Sequence, residues 1–76
     1  MNRIRRKEIQ EVISKIEELY EQVENIKSDE EDYRDNMPEN LWNSVRYEKA
    51  EDACTVLEDA LDNLSDAMSN LEEACE

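Results

Sequence analysis

Two thiols and a large excess of carboxylates are the side chains of this sequence with chemistry to offer. Cys54 and Cys75 react only as thiolates, and a thiolate near neutral pH needs a neighbouring base or cation. The chain contains no His, so the usual activating partner of a nucleophilic cysteine is missing. It contains no Gly either, which removes phosphate-cradling glycine loops and the turn residue of a calcium-binding EF-hand loop. The acidic run Asp29, Glu30, Glu31, Asp32 and Asp35 lacks alternating ligand spacing, and it is read as solvated surface. A di-metal carboxylate bundle needs inward-pointing Glu residues and a Glu-x-x-His pair, which this chain does not offer. No catalysis, metal or cofactor is expected.

The carboxylates then matter as a field. Twenty-two Asp and Glu against nine Lys and Arg give a net charge of −13, which repels nucleic acid and anionic membranes and attracts basic protein surfaces. From Ala50 to Glu76 there are nine acidic residues and no basic one. Glu51, Asp52, Glu58, Asp59, Asp62, Asp66, Glu72 and Glu73 fall on the outward positions of a helix, a candidate partner-binding face. Such a face either occupies the nucleic-acid-binding groove of a basic DNA- or RNA-binding protein or simply keeps the chain soluble. The opposite charge is gathered at Arg3, Arg5, Arg6 and Lys7.

Hydrophobic spacing supplies the scaffold. Ile9, Val12, Ile13, Ile16, Leu19, Tyr20, Val23 and Ile26 recur every three or four residues, the signature of a helix. With Ile9 at heptad position a, Ile16 and Val23 are also a, Val12, Leu19 and Ile26 are d, and Ile13 and Tyr20 are e. Past an interruption at Glu30 the frame reaches Tyr33 (d) and Met37 (a), so the helix is expected over about 3–35, before Pro38 forbids continuation. In a second helix, expected over about 44–75, Ala50, Leu57, Leu64 and Leu71 take a. Ala53, Ala60, Ala67 and Ala74 take d, and Cys54, Leu61, Met68 and Cys75 take e. Alanine at every d position lets another helix approach closely.

Residues 36–43 read as the connector, with Asn40, Asn43 and Ser44 as candidate helix caps. A short connector between long helices implies an all-α, antiparallel two-helix hairpin forming one domain. Folded so, Arg3, Arg5, Arg6 and Lys7 are expected beside Glu72, Glu73 and Glu76. Each apolar stripe spans three of seven positions, wider than a lone helix pair covers. Self-association into a dimeric four-helix bundle is therefore expected through Ile9, Ile13, Ile16, Tyr20, Leu57, Leu61, Leu64, Met68 and Leu71, strengthening with salt. Trp42 and Leu41, near Tyr33, Met37 and Tyr47, form the only aromatic-rich patch. It is read either as a cap on the end of the bundle or as an anchor for a partner.

Cys54 and Cys75 lie 21 positions apart on one helix, roughly 30 Å at the helical rise. They cannot bridge within the chain. Free thiols in a reducing compartment are the first reading, and an interchain disulfide or redox role the second. No apolar run follows the basic N-terminal residues as a signal peptide would require, and a cytoplasmic location is expected.

Four segments carry a resemblance: Arg-Lys-Glu-Ile at 6–9, Asn-Met-Pro-Glu-Asn-Leu at 36–41, Arg-Tyr-Glu-Lys-Ala at 46–50, and the Leu-Glu-Asp-Ala heptads from Leu57. In these the chain resembles the short acidic helical-hairpin proteins of Firmicute phages, prophages and conjugative elements. The resemblance implies a mobile-element origin and transfers no functional residue, because that group has no established activity. By analogy, small acidic proteins of such elements are sometimes inhibitors of host restriction or CRISPR machinery.

Overall fold

The computed structural model describes residues 1–76. It consists of α1 (Arg3–Asp35), one turn of 3-10 helix (Glu39–Leu41) and α2 (Val45–Ala74), packed side by side as an antiparallel hairpin of 59 × 15 × 12 Å. The ends meet as the topology requires, with the Cys75 Sγ 3.9 Å from the Arg6 carbonyl oxygen.

Each boundary has a local cause. Asn2 is extended, and its Oδ1 accepts the Arg5 N–H at 2.8 Å, satisfying one of the orphan donors that open a helix. Pro38 has no N–H to continue the ladder, and the chain leaves α1 through Asn36 N–H to Asp32 carbonyl (2.9 Å) and Met37 N–H to Arg34 carbonyl (3.2 Å). Of the three candidate caps only Ser44 serves. Its Oγ accepts the Tyr47 N–H at 3.2 Å, whereas Asn40 lies inside the 3-10 turn and Asn43 precedes the cap.

The seam between the helices differs from the simple a/d pattern. On α1 the half-buried apolar residues are Ile9, Ile13, Ile16, Tyr20 and Val23, the a and e positions. The d residues Val12, Leu19, Ile26 and Tyr33 are 43, 50, 56 and 46% exposed. On α2 the seam is built on Ala50, Cys54 and Leu61, all buried, with Leu57, Leu64, Met68 and Leu71 half-buried and Ala53, Ala60 and Ala67 of the d row half-buried at its edge. The reason is the distribution of volume on α2, whose large side chains sit at a and e and whose d row is alanine. In an antiparallel pair the e edges of the two helices lie on the same side of the hairpin. Helix α1 therefore leans toward the e edge of α2, where there is more apolar surface to bury. The residues expected to join two chains, from Ile9 to Tyr20 and from Leu57 to Leu71, lie between the two helices of one chain.

Near the turn the seam turns polar, because Lys27, Glu30, Glu31 and Arg34 occupy that half and are partly buried. One further expectation changes. No ion pair joins Arg3, Arg5, Arg6 or Lys7 to Glu72, Glu73 or Glu76. The ion pairs are Lys27–Glu31, Lys27–Glu58 and Arg34–Asp35. The four N-terminal bases all point into solvent, where a loose ion pair gains little over hydration.

Burial is thin. Four of 76 residues are buried, and 5944 Å² of surface remains accessible, against about 4,900 Å² for a compact globular chain of this mass. Stability thus rests on few side chains. At fixed protein concentration, Leu61→Ala should cost about 2–4 kcal/mol in urea unfolding, and Ser44→Ala about 1 kcal/mol through loss of the cap.

Candidate interaction surfaces

The acidic face of α2 follows directly from its regular geometry. Glu51, Asp52, Glu58, Asp59, Asp62, Asp66, Glu72 and Glu73 are all exposed, and they span roughly 33 Å of helix at 1.5 Å per residue. Seven of them form no ion pair. Glu58 is the exception, its Oε2 lying 2.8 Å from the Nζ of Lys27, which also reaches Glu31 at 3.4 Å. The hydrogen bond that Lys27 donates to Glu58 is the largest influence holding its ammonium above the ordinary pKa, and partial desolvation opposes it. Lys27 is the only basic side chain that makes an ion pair across the two helices. Arg34 turns instead to its neighbour Asp35 at 3.0 Å.

The aromatic patch closes the turn. The Trp42 Nε1–H donates to the Met37 carbonyl at 3.0 Å, and the indole lies 6.3 Å from the Tyr47 ring, tilted by 35°. Met37 is buried, while Trp42 and Leu41 stay 46 and 38% exposed. The indole N–H is thus committed to the fold, and part of the ring surface remains open to solvent.

The thiols occupy different surroundings. Cys54 is buried in the seam, Cys75 is partly exposed at the opposite end, and both are free. Desolvation pushes the Cys54 thiol above its ordinary pKa, reinforced by Glu31 and Glu30 and opposed by Arg34 and Lys27. A neutral, buried thiol is a poor nucleophile. No group of three or more Cys, Asp or Glu side chains is placed to hold a metal ion. The run from Asp29 to Asp35 is part of α1 and is spread around the helix. No helix is long and apolar enough to cross a membrane.

One surface was hidden in the heptads. The d row of α1, from Val12 to Tyr33, stands outside the seam on the side where Tyr33 shares a shallow groove with Val45, Arg46, Lys49 and Ala50. Lys27, Arg34 and Glu58 line a groove on the other side. The seven-residue spacing of Val12, Leu19, Ile26 and Tyr33 was the available signal, but spacing does not say which of two apolar rows faces inward.

No protein-family model matches the chain, and neither a curated protein nor a solved structure matches it.

Titration of the seam gives a pH dependence. A thiol whose pKa is raised by folding favours the protonated form, so its contribution is present below its ordinary 9.0 and fades as pH rises past it. Lys27, raised above 10.5, contributes fully below that value and loses its contribution as pH climbs through the folded pKa. Urea unfolding should therefore show stability falling from about pH 9 upward, and Cys54→Ala should lack the first part of the fall. At pH 8 a thiol reagent should modify Cys75 much faster than Cys54.

Proposed function

We propose that this chain is a non-enzymatic, acidic protein–protein interaction module that acts as a homodimer in bacterial cytoplasm. Its α2 face occupies the basic, nucleic-acid-binding surface of a host protein, in the manner of an inhibitor carried by a phage or another mobile element. The observation that carries this reading is the row of eight exposed carboxylates on α2, seven without an ion pair, on a helix with no basic residue after Lys49. A charged face that cannot neutralise itself gains most from a basic partner, through long-range steering and complementary contact.

The spacing suits partial mimicry. Eight carboxylates over roughly 33 Å is one per about 4 Å of helix, sparser than the one charge per about 1.7 Å of duplex DNA. A dimer presents two such rows. The exposed apolar row Val12, Leu19, Ile26 and Tyr33 supports a second reading, in which the chain is a self-assembling helical module and the carboxylates serve solubility alone.

Affinity capture from bacterial lysate separates the two. The tagged protein should retain a nucleic-acid-binding protein that rising salt elutes and competing DNA displaces. Charge reversal at Asp59, Asp62, Asp66 and Glu72 to Lys should abolish that capture with the circular dichroism spectrum unchanged. Glu58 is left in place because it holds Lys27. Capture that survives the reversal, or retention of nothing except the chain itself, would rule out the acidic-face reading.

A further inference from the structure

The self-association proposed above has a definite surface in this structure, and the inference rests on that reading. We infer that the face carrying the d rows of both helices is the dimer interface, occupied by a second copy of this chain. The apolar ridge of α1 (Val12, Leu19, Ile26, Tyr33) enters the alanine trough of α2 (Ala53, Ala60, Ala67) in the other copy.

Charge points to a second copy. Of the 22 acidic residues, only Glu8 and Asp29 fall on the d and g positions that make up this face and Glu30 borders it beside Tyr33, against the bases Arg5, Lys15, Arg46 and Lys49. On a chain of −13 this is the one side where another copy meets no row of carboxylates. The α2 residues flanking the trough are Val56, Asn63 and Asn70, all exposed and uncharged.

Shape agrees. The Cα radius of gyration is 17.4 Å, against about 11 Å for a compact chain of this length, so the hairpin is elongated, and the exposed row from Val12 to Tyr33 runs along about 32 Å of one side. Large side chains stand on α1 and small ones on α2, so the face is self-complementary when the two-fold axis runs parallel to the helices. That axis lays α1 antiparallel on α2 of the other copy and builds a four-helix bundle with antiparallel neighbours throughout. The carboxylates of both chains then remain outside.

Sedimentation equilibrium across a dilution series, at low and high salt, is the test. Wild type should be a dimer that tightens with salt as repulsion between acidic chains is screened. The double variant Leu19→Lys, Ile26→Lys should sediment as a monomer while keeping its helical circular dichroism. Because it lowers the magnitude of the net charge, added repulsion would not explain its dissociation. A wild type that is monomeric throughout would overturn both self-association and this surface. A double variant that remains dimeric would overturn the surface and leave self-association standing. The axis is read from mixed single-cysteine chains, with Cys54 and Cys75 replaced by Ala. Oxidation should cross-link Ile26→Cys to Val56→Cys in the mixture, and dimers of Ile26→Cys alone would overturn the ridge-in-trough packing.

Discussion

The fold depends on the lean of α1 toward the bulkier edge of α2. Alanine at each d position of α2 leaves that side of the helix nearly flat, while Leu57, Leu61, Leu64, Met68 and Leu71 load the a and e positions. Burial per residue is greatest when Ile9, Ile13, Ile16, Tyr20 and Val23 lie over that loaded edge. The rest follows from this lean: the half-exposed d row of α1, the alanine trough beside it, and the crossing of Lys27 to Glu58 on the opposite side.

The same lean sorts charge. Positions b, c and f of both helices face away from the seam and from the d row, and they hold most of the carboxylates. One side of the hairpin thereby carries an apolar row among few charges of both signs, and the remainder is strongly acidic. A chain built this way can bring copies together without forcing acidic rows into contact, and still show those rows to a basic surface. Lys27 fits this division, since its ammonium reaches across the seam to an acidic helix that has no base of its own beyond Lys49.

Much of the fold was legible in the sequence. The three-and-four spacing from Ile9 to Ile26, the heptads from Ala50 to Leu71 and the lone Pro38 specify two helices and a turn, as observed. The rotation of α1 was not legible, because between Ile9 and Val23 its a, d and e rows are all apolar and only the volumes on α2 choose between them. The frame marked Glu30 as an interruption, but not that Lys27, Glu30, Glu31 and Arg34 would be partly buried together. These residues sit at the turn end, where long side chains shield their stems and keep their charges wet. Of the candidate surfaces, the acidic positions on α2 were found where the heptad frame put them, exposed along its length. The d row of α1 was read as seam because periodicity locates rows and does not rank them.

The rotation of α1 decides which row is covered, and thiol accessibility reports on it residue by residue. Single cysteines at Ile16 and Leu19, in a chain whose Cys54 and Cys75 are replaced by Ala, would be labelled at a series of dilutions. The account predicts that Ile16→Cys is protected at every concentration, and that Leu19→Cys reacts at the rate of an exposed thiol once the chain is dilute. Equal rates at the lowest concentration, or faster reaction at position 16 than at 19, would contradict it.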